Sequence, residues 1–506
     1  MRFNSTTKRT HITTNYEGAK AYSISPALEL YSAVVTSSLS NTFYEATDDR
    51  ISRLRKLIAQ NDPLFVAKLA VYAREKMYLR SIPLVLAVEL AKVHKGNDLV
   101  SRLVSRIVKR ADEITELLAY YQAANKRSDV KKLNRLSKQL QKGLAISFNR
   151  FDEYQFAKYN RDTEIRLRDA LFLVHPKAKD ESQQMLFNKI VEDTLQVPYT
   201  WEVELSRLGQ SEFANEIDKQ NALREKWQEL IDSGKLGYMA LLRNLRNMLQ
   251  SNVSKEHIKK VAQRLSNQKE VERSKQLPFR FLSAFRELEK QPFVNVQILL
   301  SALEEAVKIS IRNLKGFDEN TSVLIACDVS GSMQFPISPR SSVLGYDIGL
   351  VLGMLLQHRS ESVISGLFGD TWKVINLPKG NILSNVQNLR KREGEVGYST
   401  NGYLVIKDIL KRKQKIDKVM IFTDCQLWNS NYSKESISDY WNQYKKEVAP
   451  NAKLYLFDLQ GYGKMPLQLK TNDVSLVAGW SDKVFEVMEA IENGQDTLSQ
   501  IQELEF

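Results

Sequence analysis

The spacing of apolar positions changes character once along this chain. Over roughly the first 317 residues apolar side chains recur three and four apart. Ile51, Leu54, Leu57 and Ile58 are one such set, with Arg53, Arg55 and Lys56 between them, which predicts an amphipathic helix with a basic outer face. Asp62-Pro63 opens the next, with an acidic cap and a proline at the first helical position. The same periodicity predicts helices at about 82–94, 98–109, 111–124, 129–146, 164–174, 181–196, 212–232, 238–250, 255–268, 278–289 and 292–313. Short connections favour paired antiparallel helices, and the absence of a strict repeat predicts an irregular α-solenoid of the HEAT kind. From Thr321 the pattern becomes short apolar runs alternating with helical stretches. Strands are expected at 322–328, 362–368, 372–377, 418–424, 453–459 and 474–479, and helices at 342–358, 382–392, 402–412, 433–447 and 482–494. That alternation predicts a parallel, doubly wound α/β domain. The expected fold class is therefore α followed by α/β, with a helical domain at 1–317 and a sheet domain at 318–506.

The first apolar run of the sheet domain carries the sharpest chemistry. Val323-Leu324-Ile325-Ala326-Cys327 leads into Asp328, Ser330 and Ser332, with Gly331 easing the turn between the serines. A carboxylate and two hydroxyls at the carboxyl end of a central strand lie where open α/β sheets bind ligands. All three are hard oxygen donors, suited to Mg²⁺ or Mn²⁺ rather than zinc. A plain strand-to-helix cap would also use Asp and Ser.

Charge sharpens the division. The net charge is +13, yet residues 318–506 hold 20 Lys+Arg against 23 Asp+Glu, so the whole positive excess lies in residues 1–317. Such asymmetry points to a polyanion, nucleic acid first, although charge alone is equally served by a solvated basic surface. The densest candidate is at 150–180. Lys158-Tyr159-Asn160-Arg161 is followed by a helix expected over 164–174 with Arg166 and Arg168, then His175-Pro176-Lys177. Lysine and arginine neutralise phosphates, and Tyr159 or His175 could stack on an unpaired base. A further helix puts Leu241, Leu242, Leu245 and Leu249 inward and Arg243 and Arg246 on another face. Two cysteines, Cys327 and Cys425, argue against a disulfide scaffold and read as small buried fillers in a reducing compartment. No apolar run reaches membrane-spanning length, and the polar first 14 residues read as no secretory signal, so a cytoplasmic location is expected.

The Asp328 loop resembles the metal-ion-dependent adhesion site of von Willebrand A domains. That resemblance implies a threonine loop, met by Thr400 in Tyr398-Ser399-Thr400-Asn401, and an aspartate after a later strand, met by Asp424. Many relatives have two glycines before the threonine, where this chain has Tyr398 and Ser399. The resemblance further implies a direct Thr400 ligand, Asp424 acting through water, and one antiparallel edge strand. In the helical part, the 236–248 stretch around Ala240-Leu241-Leu242-Arg243-Asn244-Leu245 resembles the A-L-L-R-N-L segment of TROVE domains, the module shared by telomerase, Ro and vault proteins. Pro278-Phe279 and Pro198-Tyr199-Thr200-Trp201-Glu202 are similar to further pieces of that module, in the same order. The whole arrangement resembles the Ro proteins, including their bacterial relatives. It implies a helical ring and a rim of RNA contacts at Lys158, Tyr159, Arg161 and His175. The implied partners are single-stranded 3′ ends of misfolded or structured RNA, a Y-like small noncoding RNA on the outer surface, and an exoribonuclease or other protein reached through the metal. A monomer is expected.

Enzymatic chemistry has little support. There is no second metal set, no His/Glu base at useful spacing and no G-x-x-x-x-G-K-[ST] phosphate loop. The expected function is non-catalytic RNA binding. The competing readings are a metal-dependent protein-interaction scaffold without RNA and a metal-dependent phosphodiesterase.

Overall fold

The computed structural model describes residues 12–37, 44–125, 136–309, 320–339, 341–428, 435–469 and 473–506. Packing gathers the chain into two compact units, residues 1–51 with 215–500 and residues 52–214 with 501–506. This partition follows contacts rather than the change of pattern at 317/318, a boundary that lies outside the described residues.

The first unit holds a six-stranded sheet. In chain order the nine strands among the described residues are β1 (Ile12–Thr14), β2 (Lys20–Ser23), β3 (Ser322–Asp328), β4 (Ser362–Phe368), β5 (Trp372–Val374), β6 (Lys418–Thr423), β7 (Lys453–Asp458), β8 (Lys464–Met465) and β9 (Val474–Ala478). The large sheet runs β5-β4-β3-β6-β7-β9, parallel throughout except for the antiparallel edge pair β4–β5. Strand β3 is central, and Val323 through Asp328 are all buried, as an unbroken apolar run requires when both faces are covered. The chain leaves β3 toward β4 on one side and returns to β6 on the other. The carboxyl ends of β3 and β6 therefore form the topological switch point, where open sheets leave a crevice. The helix Gly345–Arg359 lies close on the sheet through glycine. A Cβ on Gly349 would come within 3.0 Å of Phe422 and Leu459, and one on Gly353 within 3.1 Å of Cys327 and Ile325.

The helices Pro278–Glu289 and Val296–Ile309 belong to this unit too. Glu304 accepts hydrogen bonds from the backbone N–H groups of Ile382, Leu383 and Ser384, at 2.9, 3.0 and 2.7 Å, so it satisfies the first donors of the helix Ile382–Lys391. Two N-terminal elements that periodicity did not single out also pack here. β1 and β2 form a hairpin that pairs with β8 in a small antiparallel sheet, and the helix Pro26–Val35 lies against β9. From that helix Tyr31 donates to the Ala478 carbonyl at 3.1 Å and Ser32 to Asp458 at 2.5 Å.

Among the described residues the second unit has helices and no strand. Its helices include Pro63–Glu75, Ser81–Val93, Leu99–Ile107, Asp112–Ala124 and Lys138–Phe148, each packed on one or more of the others. The helix expected at 129–146 starts outside the described residues, which resume at 136. Gly143 permits its close approach to Leu99–Ile107, since a Cβ there would meet Val104 at 2.6 Å. Glu113 is fully buried yet satisfied. It takes Arg74 at 2.7 Å and the backbone N–H groups of Lys109 and Arg110 at 2.8 and 3.2 Å. The C-terminal residues join this unit, where Lys68 donates to the Gln502 carbonyl at 2.6 Å and Arg102 lies 5.3 Å from the Phe506 ring centre. Among the described residues no helix is long and apolar enough to cross a membrane.

Candidate metal site and basic helical surface

At the switch point Asp328, Ser330, Ser332, Thr400 and Asp424 are all buried. The Ser330 backbone N–H donates to Asp328 Oδ1 at 2.9 Å, and the two serine hydroxyls stand 3.3 Å apart. Thr423 Oγ1 donates to Asp328 Oδ2 at 2.6 Å and so orients the carboxylate. The threonine loop reaches the site through its backbone, with Gly331 N–H donating to the Tyr398 carbonyl at 2.9 Å and Trp428 N–H to the Thr400 carbonyl at 3.0 Å. Gly397, at φ +72°, supplies the left-handed residue of this loop one position ahead of Tyr398 and Ser399. Asp370 then fixes it, accepting from Ser399 N–H at 2.8 Å, while its carbonyl takes Asn401 Nδ2 at 3.1 Å. Cys425 sits at φ +62°, so the loop carrying Asp424 is bent sharply out of the strand. Both cysteines are free and buried, in keeping with small fillers.

Thr400 Oγ1 and Asp424 Oδ2 are buried without a hydrogen-bond partner among the described residues, though the Ser332 hydroxyl stands near enough to ease the Asp424 charge. Burial pushes both acids above the ordinary carboxylate range. Asp424 is raised further by Asp328, and Asp328 by Glu17, while Ser330 and Thr423 hold Asp328 down. Two buried carboxylates and three hydroxyls, with two of their oxygens orphaned, fit one hard divalent cation. Among the described residues no group of three or more His, Cys, Asp and Glu is placed to hold a metal ion, so the donor set is hydroxyl-rich rather than zinc-like.

The basic candidates divide between the units. Lys158, Tyr159, Arg161, Arg166, His175 and Lys177 lie in the helical unit, Arg243 and Arg246 in the other. Lys158 is exposed at the end of the helix Glu153–Tyr159, with its ammonium 5.7 and 5.8 Å from the Tyr154 and Tyr159 ring centres. Lys158, Arg161 and Lys177 have no carboxylate partner among the described residues. Arg110 lies 4.4 Å from the Tyr159 ring centre, so one face of that ring is already engaged. The helix expected from 164 begins at Leu167 instead. Asp169 reaches back to accept from Arg166 N–H at 3.0 Å, which sets the start, and Glu164 takes Gln122 at 3.0 Å. Arg166 is paired with Asp162 at 2.5 Å. His175 ends the helix at φ +50° with its N–H on the Leu171 carbonyl, so it serves as a helix cap with an exposed ring.

On the helix Tyr238–Gln250, Arg246 pairs with Glu287 at 3.1 Å. Arg243 has a neighbour that the sequence reading passed over. Arg280, on the helix Pro278–Glu289, lies near enough for its guanidinium to be disfavoured first by burial and then by the Arg243 charge. Neither arginine has a carboxylate partner among the described residues, so they form a cationic pair open to an anion. A pattern of R-x-x-x three residues into a Pro-led helix gives no sign of it, because the two arginines are 37 positions apart.

The TROVE domain family matches residues 33–202 and 194–315, more than half of the chain. Telomerase protein component 1 of Rattus norvegicus is 26% identical over 329 residues, 52% of this chain, and that of Mus musculus 28% over 299 residues, 46% of it. The alignments span 12% and 11% of those rodent proteins. The crystal structure of the Deinococcus radiodurans RO (RSR) protein superposes with a TM-score of 0.59 at 16% identity, covering 93% of this chain and 100% of that one, a likeness of fold. With the family match running through most of the helical sequence, the chain belongs to the TROVE domain family.

Proposed function

We propose that this protein is a non-catalytic RNA-binding protein of the Ro type, acting in RNA quality control. It takes single-stranded 3′ ends of misfolded or structured RNA on its basic helical surface and a Y-like small RNA elsewhere on that surface. The reading is carried by exposed Lys158 beside Tyr159 and by exposed Arg161 and Lys177, cations without acidic partners among the described residues, in a TROVE chain. Its likeness to the Deinococcus protein and to telomerase components supports the same class of partner. The site at Asp328 holds Mg²⁺, or Mn²⁺, and recruits a protein rather than cleaving RNA.

Salt-titrated binding to single-stranded RNA tests this. If about five phosphates are neutralised, affinity should fall roughly 100-fold between about 50 and 200 mM salt. Binding that ignores salt, or that needs Mg²⁺ to appear, would favour an interaction scaffold without RNA. The double variant Lys158→Ala, Arg161→Ala should lose about tenfold in affinity at low salt and flatten the salt slope by about 1.4. Asp328→Ala should leave both affinity and slope unchanged. An unaltered slope in the double variant would remove those two residues from the interface, and RNA cleavage abolished by Asp328→Ala would overturn the non-catalytic reading.

A further inference from the structure

The turn that follows the helix Leu167–Val174 is held from outside by amide side chains. Gln141 Nε2 donates to the Leu173 and Val174 carbonyls at 3.3 and 3.2 Å and so satisfies the end of that helix. Asn149 grips the turn itself at two points. Its Nδ2 donates to the Lys177 carbonyl at 2.9 Å, and its Oδ1 accepts from Lys179 N–H at 2.9 Å. Asn149 is fixed in its own place. The same Nδ2 reaches the Ala145 carbonyl at 3.2 Å. Buried Gln183 donates through Nε2 to the Phe148 and Phe151 carbonyls at 3.1 and 3.3 Å, one on each side of the Asn149–Arg150 link. Arg150 in turn donates through Nη1 to the Ser105 carbonyl.

What this frame carries is basic. Arg150, His175, Lys177 and Lys179 are all exposed, and the three permanent cations have no carboxylate partner among the described residues. The next acid in sequence, Asp180, is taken by the start of the helix Glu181–Glu192, where it accepts from Gln183 N–H at 2.8 Å and from the Ser182 hydroxyl at 2.7 Å. His175 stands at φ +50°, a place that Gly or Asn ordinarily fills at the end of a helix. An imidazole is thus kept at the surface in a conformation that does not suit it. Cations carried on a fixed backbone lose less freedom on meeting an anion than cations on a loose one. A row of them suits a ligand whose charges repeat, which is the chemistry of a phosphodiester backbone.

We propose that the 175–179 turn and Arg150 form a phosphate-gripping element of the RNA surface, with Asn149 as its positioning residue. Arg150 and Lys179 then touch RNA phosphates beside Lys177, and Asn149 acts only through the turn it holds. The inference rests on the RNA-binding reading of the helical unit.

Fluorescence anisotropy of a labelled single-stranded RNA oligomer, titrated with the full chain at several salt concentrations, tests this. Lys179→Ala and Arg150→Ala should each flatten the slope of log affinity against log salt by about 0.7, one phosphate's share on a single strand. Asn149→Ala removes no charge. It should keep the parent's slope and melting temperature while binding about fivefold more weakly at every salt concentration, the cost of ordering the turn on contact. Lys269→Ala, an exposed cation of the other unit, should leave slope and affinity alone. If Lys269→Ala flattens the slope as much as Lys179→Ala, the effect is general charge and the element is refuted. If Lys179→Ala or Arg150→Ala keeps the parent's slope, that cation does not meet RNA and the element as drawn is wrong. An Asn149→Ala protein that binds as the parent does refutes the positioning role. If all three match the parent while Lys158→Ala, Arg161→Ala loses affinity, the turn is refuted and the RNA reading stands. A parent that binds no RNA sinks both.

Discussion

Arg286→Ala should cost the sheet-bearing unit roughly 3–5 kcal/mol. Arg286 is 2% exposed and Asp347 wholly buried, and the pair is bidentate, with Nη1 on Oδ2 at 2.6 Å and Nη2 on Oδ1 at 2.5 Å. Arg286 Nε also reaches Gln387 Oε1 at 2.6 Å. Asp347 has a second duty. Its Oδ2 accepts from Leu344 N–H at 2.8 Å at the start of the helix Gly345–Arg359, which packs on the sheet. Removing the guanidinium strands a charge that water cannot reach, so the loss exceeds whatever the intact pair contributes. A chain of two compact units need not unfold in one step, and the readout is therefore the transition of this unit followed by near-ultraviolet circular dichroism. The double variant Arg286→Ala, Asp347→Ala should recover part of the loss, because the unpaired charge is gone. A double variant no more stable than Arg286→Ala alone would refute the stranded-charge account.

That pair also shows where the sequence stops speaking. The helix Pro278–Glu289 was legible from its periodicity to the residue, but nothing in a one-dimensional pattern links Arg286 to a carboxylate 61 positions on. The six strands of the large sheet were legible because a buried parallel strand is a short apolar run with polar ends, and five of them end within one residue of their expected limits, at 328, 368, 423, 458 and 478 against 328, 368, 424, 459 and 479. Their ends were read well because the chemistry changes abruptly there, from Cys327 to Asp328 and from Phe422 to Thr423. The hairpin β1–β2 and the helix Pro26–Val35 were not legible as parts of the sheet body. Their partners, β8, β9 and the Leu427 segment, lie more than 400 positions away.

The candidate site was read to a similar depth. D-x-S-x-S lies within five residues, and its geometry follows from a single turn. What completes it comes from elsewhere: Thr423 on the Asp328 carboxylate and Asp370 under the Thr400 loop. Pairing decides the basic surface in the same way. Arg166 and Asp162 are four apart and their pairing could have been foreseen, whereas Arg246–Glu287 spans 41 positions and Arg243 beside Arg280 spans 37. A count of arginines cannot distinguish the one already spent on a glutamate from the one still open to a phosphate.

Asp424→Asn should abolish the stabilisation that Mg²⁺ gives and leave the metal-free protein at least as stable as its parent. At a free Mg²⁺ concentration about 100 times the dissociation constant, the intact site should gain about 2.7 kcal/mol, seen as a rise in the melting temperature of the sheet-bearing unit. In EDTA the opposite electrostatics rule. Burial pushes the Asp328–Asp424 pair up, and the Asp328 charge raises Asp424 further, to about 6 and about 8. A carboxyl whose folded value lies above its unfolded one favours the folded state fully at pH below the ordinary carboxylate range. That stabilisation is lost as pH rises through 6 and then 8. The metal-free parent should therefore weaken across that window, and Asp424→Asn should flatten its upper half. Mg²⁺ favours the ionised pair and should make the parent's stability level or rising over the same range. A parent whose melting temperature in EDTA is flat from pH 5 to about 8.5 would show that the two carboxylates do not strain the apo fold, and a Mg²⁺ shift that survives Asp424→Asn would place the ion elsewhere.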